Sequence, residues 1–118
     1  MKKIAVIFLL GLMSSCTYDI IEPKPVEVPD VVSFSANVIP IFDASCNASG
    51  CHANGGIPPN LTASGAYTSL TFFGYVDTEF PEQSILYQKV NTGSMAKYAT
   101  NQDREIILKW IEQGALDN

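Results

Sequence analysis

Apolar residues return at helical spacing along most of this chain. The clearest stretch lies near the end, where Ile106, Ile107, Trp110 and Ile111 share one face. Asp103, Arg104, Lys109 and Glu112 take the polar positions beside them. Thr100 and Asp103 are spaced as a capping box that opens this helix, and Gly114 is a natural stop. Upstream, Val38, Ile41 and Phe42 fall at helical spacing, with Cys46 a turn after Phe42. This predicts a short helix over residues 36–44, with Pro40 tolerated in its first turn. Another helix is predicted over residues 81–90, with Pro81 in its first turn and Asn91-Thr92-Gly93-Ser94 breaking it. Thr62 or Ser64 opens a shorter helix through Tyr67 and Leu70. Phe72-Phe73-Gly74-Tyr75-Val76 has a strand-like composition but reads as loop. Two glycines and two prolines within residues 53–61 mark an irregular connection. The expected fold class is all-α.

The first 32 residues follow a different pattern. Lys2 and Lys3 give a basic start, and residues 4–12 form an apolar run interrupted only by Gly11. That run is too short to cross a bilayer as a helix and fits a secretory segment over residues 1–15. Residues 16–32 read as an extended, semi-rigid tether, because Pro23, Pro25 and Pro29 alternate with Glu22, Lys24, Glu27 and Asp30. The remaining residues, 33–118, are expected to form one folded domain.

Charge narrows the choice of partners. The 118-residue chain carries a formal net charge of −5. Loss of residues 1–15 removes two lysines and no acid, so the exported chain is more acidic still. This argues against nucleic acid and against electrostatic binding to anionic lipid. Three cysteines are an odd number, which in an exported chain flags a leftover thiol. With Cys16 at the end of the export segment, Cys46 and Cys51 remain as a pair. A body this small is marginal for a large apolar core, and a bound group with a broad apolar surface would help.

The candidate chemistry lies in Cys46-Asn47-Ala48-Ser49-Gly50-Cys51-His52, which contains the only histidine of the chain. A Cys-x-x-Cys-His run signals covalent c-type haem attachment, and here the gap is four residues instead of two. Two thiols form thioether links to the haem vinyl groups, and the adjacent imidazole ligates the iron. Met95 is the only methionine beyond the export segment, in a loop between two helices, and is the candidate sixth ligand. Lys97, two residues on, is the substitute if the loop shifts. A Cys46–Cys51 disulfide is the competing reading, since the exported compartment is oxidising. Zinc is a weaker one, because a structural zinc site wants four ligands. The sequence has no nucleophile–base arrangement, phosphate loop or basic–aromatic stripe.

Two resemblances extend this reading. The small residues before Cys16 resemble the lipobox of bacterial lipoproteins, which implies that Cys16 becomes the lipidated first residue of the mature chain. The order of export signal, Pro-rich tether, short helix, Cys…Cys-His, loop, helix, methionine and terminal helix resembles a small monohaem cytochrome c. More narrowly it is similar to the cytochrome c-like domains of bacterial lipoproteins. The matching pieces span residues 33–118. They are Phe34 with Val38-Ile39-Pro40-Ile41-Phe42, Ser84-Ile85-Leu86-Tyr87 with Lys89-Val90, Gly93-Ser94-Met95, and Ile107 with Trp110-Ile111-Glu112-Gln113-Gly114-Ala115.

The resemblance implies an all-α cytochrome c-like fold wrapped around one covalent haem c. Cys46 and Cys51 carry the thioethers, His52 is the proximal ligand and Met95 the distal one. Phe42 and Trp110 mark where the first and last helices cross. A carbonyl at Pro58 or Pro59 orients the imidazole, and Leu61 touches the haem. The four-residue gap departs from the family pattern, as does Ala96 in a place where proline often follows the methionine. The implied protein is an electron carrier and not an enzyme. Its implied partners are redox proteins, and a lipid membrane through acylated Cys16. Its implied place is the periplasmic side of a bacterial membrane, with the outer membrane favoured. The alternatives are a haem enzyme or gas sensor with a labile distal ligand, and a haem-free, disulfide-stapled lipoprotein.

Overall fold

The computed structural model describes residues 25–118, so the export segment and Cys16 lie outside the described residues. A π turn over Phe34–Val38 runs directly into helix α1, Ile39–Ser45. Helix α2 spans Ala66–Phe72, α3 Ile85–Asn91 and α4 Asn101–Glu112. Short 3-10 turns at Pro81–Gln83 and Ala96–Tyr98 precede α3 and α4. There is no strand among the described residues, and the all-α class holds.

Local chemistry explains most of these boundaries. Pro40 has no N–H to continue an α ladder. The turn ahead of it is wound wider, with the Ile39 N–H donating to the Phe34 carbonyl. The expected helix over 36–44 is therefore present and begins two residues earlier. Helix α4 opens on the predicted capping box. The Thr100 hydroxyl accepts from the Asp103 N–H at 3.1 Å, and the Asp103 carboxylate accepts from the Thr100 N–H at 2.8 Å.

Three expectations need correction. The helix predicted over 81–90 is broken at Ser84, which is extended at ψ 131°. Its buried hydroxyl accepts from the Asp77 N–H at 2.8 Å and donates to the Asp77 carbonyl at 3.1 Å, so it serves the preceding loop. Helix α2 begins at Ala66, because the Thr62 hydroxyl is engaged by the Asn60 side chain at 2.8 Å and caps nothing. Phe72 closes α2 and is not loop.

The core is one cluster, with α4 packed against the π turn, α3 and the 3-10 turn at Pro81–Gln83. Phe42 and Trp110 are both buried, but the ring stacked on Trp110 is Phe34, 4.9 Å between centroids. Tyr67 meets the other side of Phe34 edge-on at 5.4 Å. The Trp110 indole N–H donates to the Leu116 carbonyl at 2.9 Å, so its polar end is satisfied.

Packing also reaches into the expected tether. Val32 is only 2% exposed and belongs to the core. The Gln113 side chain accepts from the Val32 N–H at 2.9 Å and donates to the Asp30 carbonyl at 2.7 Å. The Gln102 side chain donates to the Glu27 carbonyl at 2.8 Å. Residues 27–32 therefore lie along α4 as a strap.

Candidate functional site

The cysteine loop grows directly out of α1. The Cys46 N–H donates to the Phe42 carbonyl at 2.8 Å, continuing the helix by one bond. The chain then turns at Ala48–Cys51, where the Cys51 N–H donates to the Ala48 carbonyl at 2.9 Å. Gly50, third in that turn, has φ +80°, a region that glycine enters at little cost. The His52 N–H closes the loop on the Cys46 carbonyl at 3.1 Å. The wider gap is thus absorbed by a β-turn, which returns Cys51 and His52 to Cys46.

His52 is held by backbone. Its Nδ1 lies 2.9 Å from the Ile57 carbonyl and 3.1 Å from the Pro59 carbonyl. A carbonyl only accepts, so Nδ1 carries a proton, and in the neutral ring the lone pair is then on Nε2. The expected orienting carbonyl is that of Pro59, and Ile57 shares the task. This segment is itself pinned. The Ile57 N–H donates to the Cys51 carbonyl at 2.7 Å, across a turn where a side chain on Gly56 would collide with that same carbonyl. The Leu61 N–H donates to the His52 carbonyl at 2.8 Å, and the Asn60 N–H to the Ser69 hydroxyl of α2 at 2.9 Å.

Cys46, Cys51, His52 and Met95 all line one cavity of about 430 Å³. Its walls come from residues 41–61 and 75–99, with Ile107 of α4. Leu61 lines it as expected. Of the four tyrosines beyond the tether, Tyr75 and Tyr98 reach it, whereas Tyr67 packs on Phe34 and Tyr87 belongs to the core. The walls are mostly apolar, and Lys89 is the one lysine, arginine or carboxylate among them. Both cysteines are free thiols. Burial pushes the Cys46 thiol pKa up, with Asp103 and Cys51 adding to the effect. Cys51 is exposed.

Met95 lies between α3 and α4. Its N–H donates to the Lys89 carbonyl and its own carbonyl accepts from the Tyr98 N–H, both at 3.0 Å. Lys97 is not in the cavity lining, and its ammonium lies over the Tyr98 ring at 4.9 Å. Sequence reading missed Arg104, which hydrogen-bonds the carbonyls of Val90, Ala96 and Ala99 around this stretch. A signal was available. Arg104 borders the apolar face of α4 with no acid three or four residues away on the helix.

Comparison of the chain with protein-family models, with curated proteins and with solved structures found no match in any of the three. Among the described residues, no group of three or more His, Cys, Asp and Glu side chains gathers to hold a bare metal ion. The donors that share the cavity are two thiols, one imidazole and one thioether.

Proposed function

We propose that this chain is an exported, membrane-tethered electron-transfer protein with a cytochrome c-like fold and one covalent haem c in this cavity. The observation that carries the reading is the shared cavity. Two thiols, an imidazole with its Nδ1 proton already committed, and a thioether line one apolar space. Its volume lies within the ordinary range for small-molecule and cofactor pockets. The donor set also suits the group, with two attachment points and two axial ligands.

Cys46 and Cys51 hold the group through thioether bonds. Each thiol would add across one vinyl group, sulfur to one carbon and hydrogen to the other, which needs no oxidant. His52 would supply Nε2 as the proximal ligand, and the carbonyls on Nδ1 fix its tautomer and the direction of the ring. Met95 would hold the group from its thioether, a donor that favours a higher reduction potential than a second histidine. Lys89 brings the one cationic side chain of the lining, a charge that would suit a carboxylate of the bound group. The apolar walls would limit water around the bound group. When bound, haem c supplies an iron that takes up and releases one electron. The protein sits at the periplasmic side of a bacterial membrane, outer membrane favoured, held by acylated Cys16. The partners are redox proteins.

The test is a visible spectrum of the protein made with a c-type haem maturation system, before and after acid–acetone extraction. Sharp reduced-state bands that survive extraction support covalent haem. A weak long-wavelength ferric band that vanishes in Met95→Ala supports His/Met ligation. Carbon monoxide binding to the reduced native protein points instead to gas binding. A colourless protein from the native host with Cys46 and Cys51 joined to each other overturns the proposal.

A further inference from the structure

We propose that Arg104 is the positioning residue for Met95, holding the thioether where the sixth ligand is needed; this rests on the reading of Met95 as that ligand. Met95 sits in a stretch with no proline and with Gly93 and Ser94 just ahead of it. Such backbone has many accessible states, and confining it costs conformational entropy. The bonds of Met95 itself, to Lys89 and from Tyr98, are local. The restraint from outside the segment comes from α4.

Arg104 reaches both sides of the methionine with one planar group. Its Nε–H donates to the Val90 carbonyl at 2.9 Å, ahead of Met95. Its Nη2 donates to the Ala96 carbonyl at 2.7 Å and the Ala99 carbonyl at 3.0 Å, both after it. Its Nη1 donates to the Asn101 side-chain carbonyl at 2.9 Å, which steadies the fork on its own helix. All four acceptors are neutral oxygens, so this half-buried cation is a backbone clamp and not an ion pair. The rigid fork is what permits several carbonyls to be held at once, and a lysine ammonium lacks that geometry. Arg104 lies in the first turn of the capped helix, which gives the clamp a fixed base.

The test uses the haem-loaded protein and two substitutions. Arg104→Met keeps the stem and apolar bulk and removes every N–H donor. It is expected to retain helix content and covalent haem while weakening or losing the long-wavelength ferric band. Cyanide binding to the ferric protein, which waits for Met95 to leave, is expected to be at least roughly tenfold faster, from the loss of charge-assisted bonds. Arg104→Lys keeps the charge, loses the fork, and is expected to fall between. An unchanged band and cyanide rate overturn the proposal, and so does a lower melting temperature with an unchanged rate. If Arg104→Met does not fold, Arg104→Lys decides alone, with a faster rate in support and a wild-type rate against. Met95→Ala separates the two levels. If it leaves band and rate unchanged, Met95 is not the ligand and the underlying reading fails. If it abolishes the band while both Arg104 variants keep it, only the positioning role fails.

Discussion

Gly50 is where an unusually long cysteine loop meets a backbone constraint. At φ +80° a β-branched side chain is strained, although nothing else lies close to it. Gly50→Val is therefore expected to cost about 1–3 kcal/mol locally. Under the proposed function it should lower the yield of covalent haem, because the turn that returns Cys51 to Cys46 is disturbed. Haem staining after denaturing electrophoresis, set against total protein, measures this. The types of the residues that line the candidate site were legible because thiols, imidazoles and thioethers are few here and chemically unlike the rest. The orienting bonds on His52 were only partly legible. A prolyl carbonyl was anticipated from the resemblance, but its sharing with Ile57 was not. Backbone carbonyls occur at every residue, so the sequence does not mark the one that is used.

Helix α4 shows the same division among the elements. Its apolar face and capping box are relations over three or four residues, and the chain folds there as the spacing predicts. Thr100→Ala removes the acceptor for the Asp103 N–H and is expected to cost about 1 kcal/mol. For a domain this size that is a fall in melting temperature of roughly 4–8 °C, read by circular dichroism. The break ahead of α3 was not legible. Ser84 stands at the N-cap of α3, yet its hydroxyl caps nothing and is used by Asp77, seven residues earlier. A half-buried N–H that needs a partner outweighs a weak local preference.

For the whole molecule, the strap at residues 27–32 changes where the folded body begins. Proline and charge made that segment look like free tether, and Val32 in the core with Gln113 bridging Asp30 shows otherwise. Gln113→Ala leaves the Val32 N–H without its partner and is expected to cost about 1–3 kcal/mol. Proteolysis within residues 27–32, located by mass spectrometry, should quicken while the haem spectrum stays the same. Unchanged cleavage would mean that other contacts hold the strap.

By itself the sequence determined the helical class, the terminal helix with its cap, and the residue types capable of holding a covalent haem. These depend on spacing along the chain or on chemistry that few side chains possess. Chain closure sets the rest: Phe34 sits on Trp110, Arg104 brackets Met95, Ser84 serves Asp77 and residues 27–32 belong to the body. Each of these is a contact whose partner is set by packing geometry, and its acceptor is often a backbone atom common to every residue. Local spacing does not encode such a choice, which is made when the chain closes on itself.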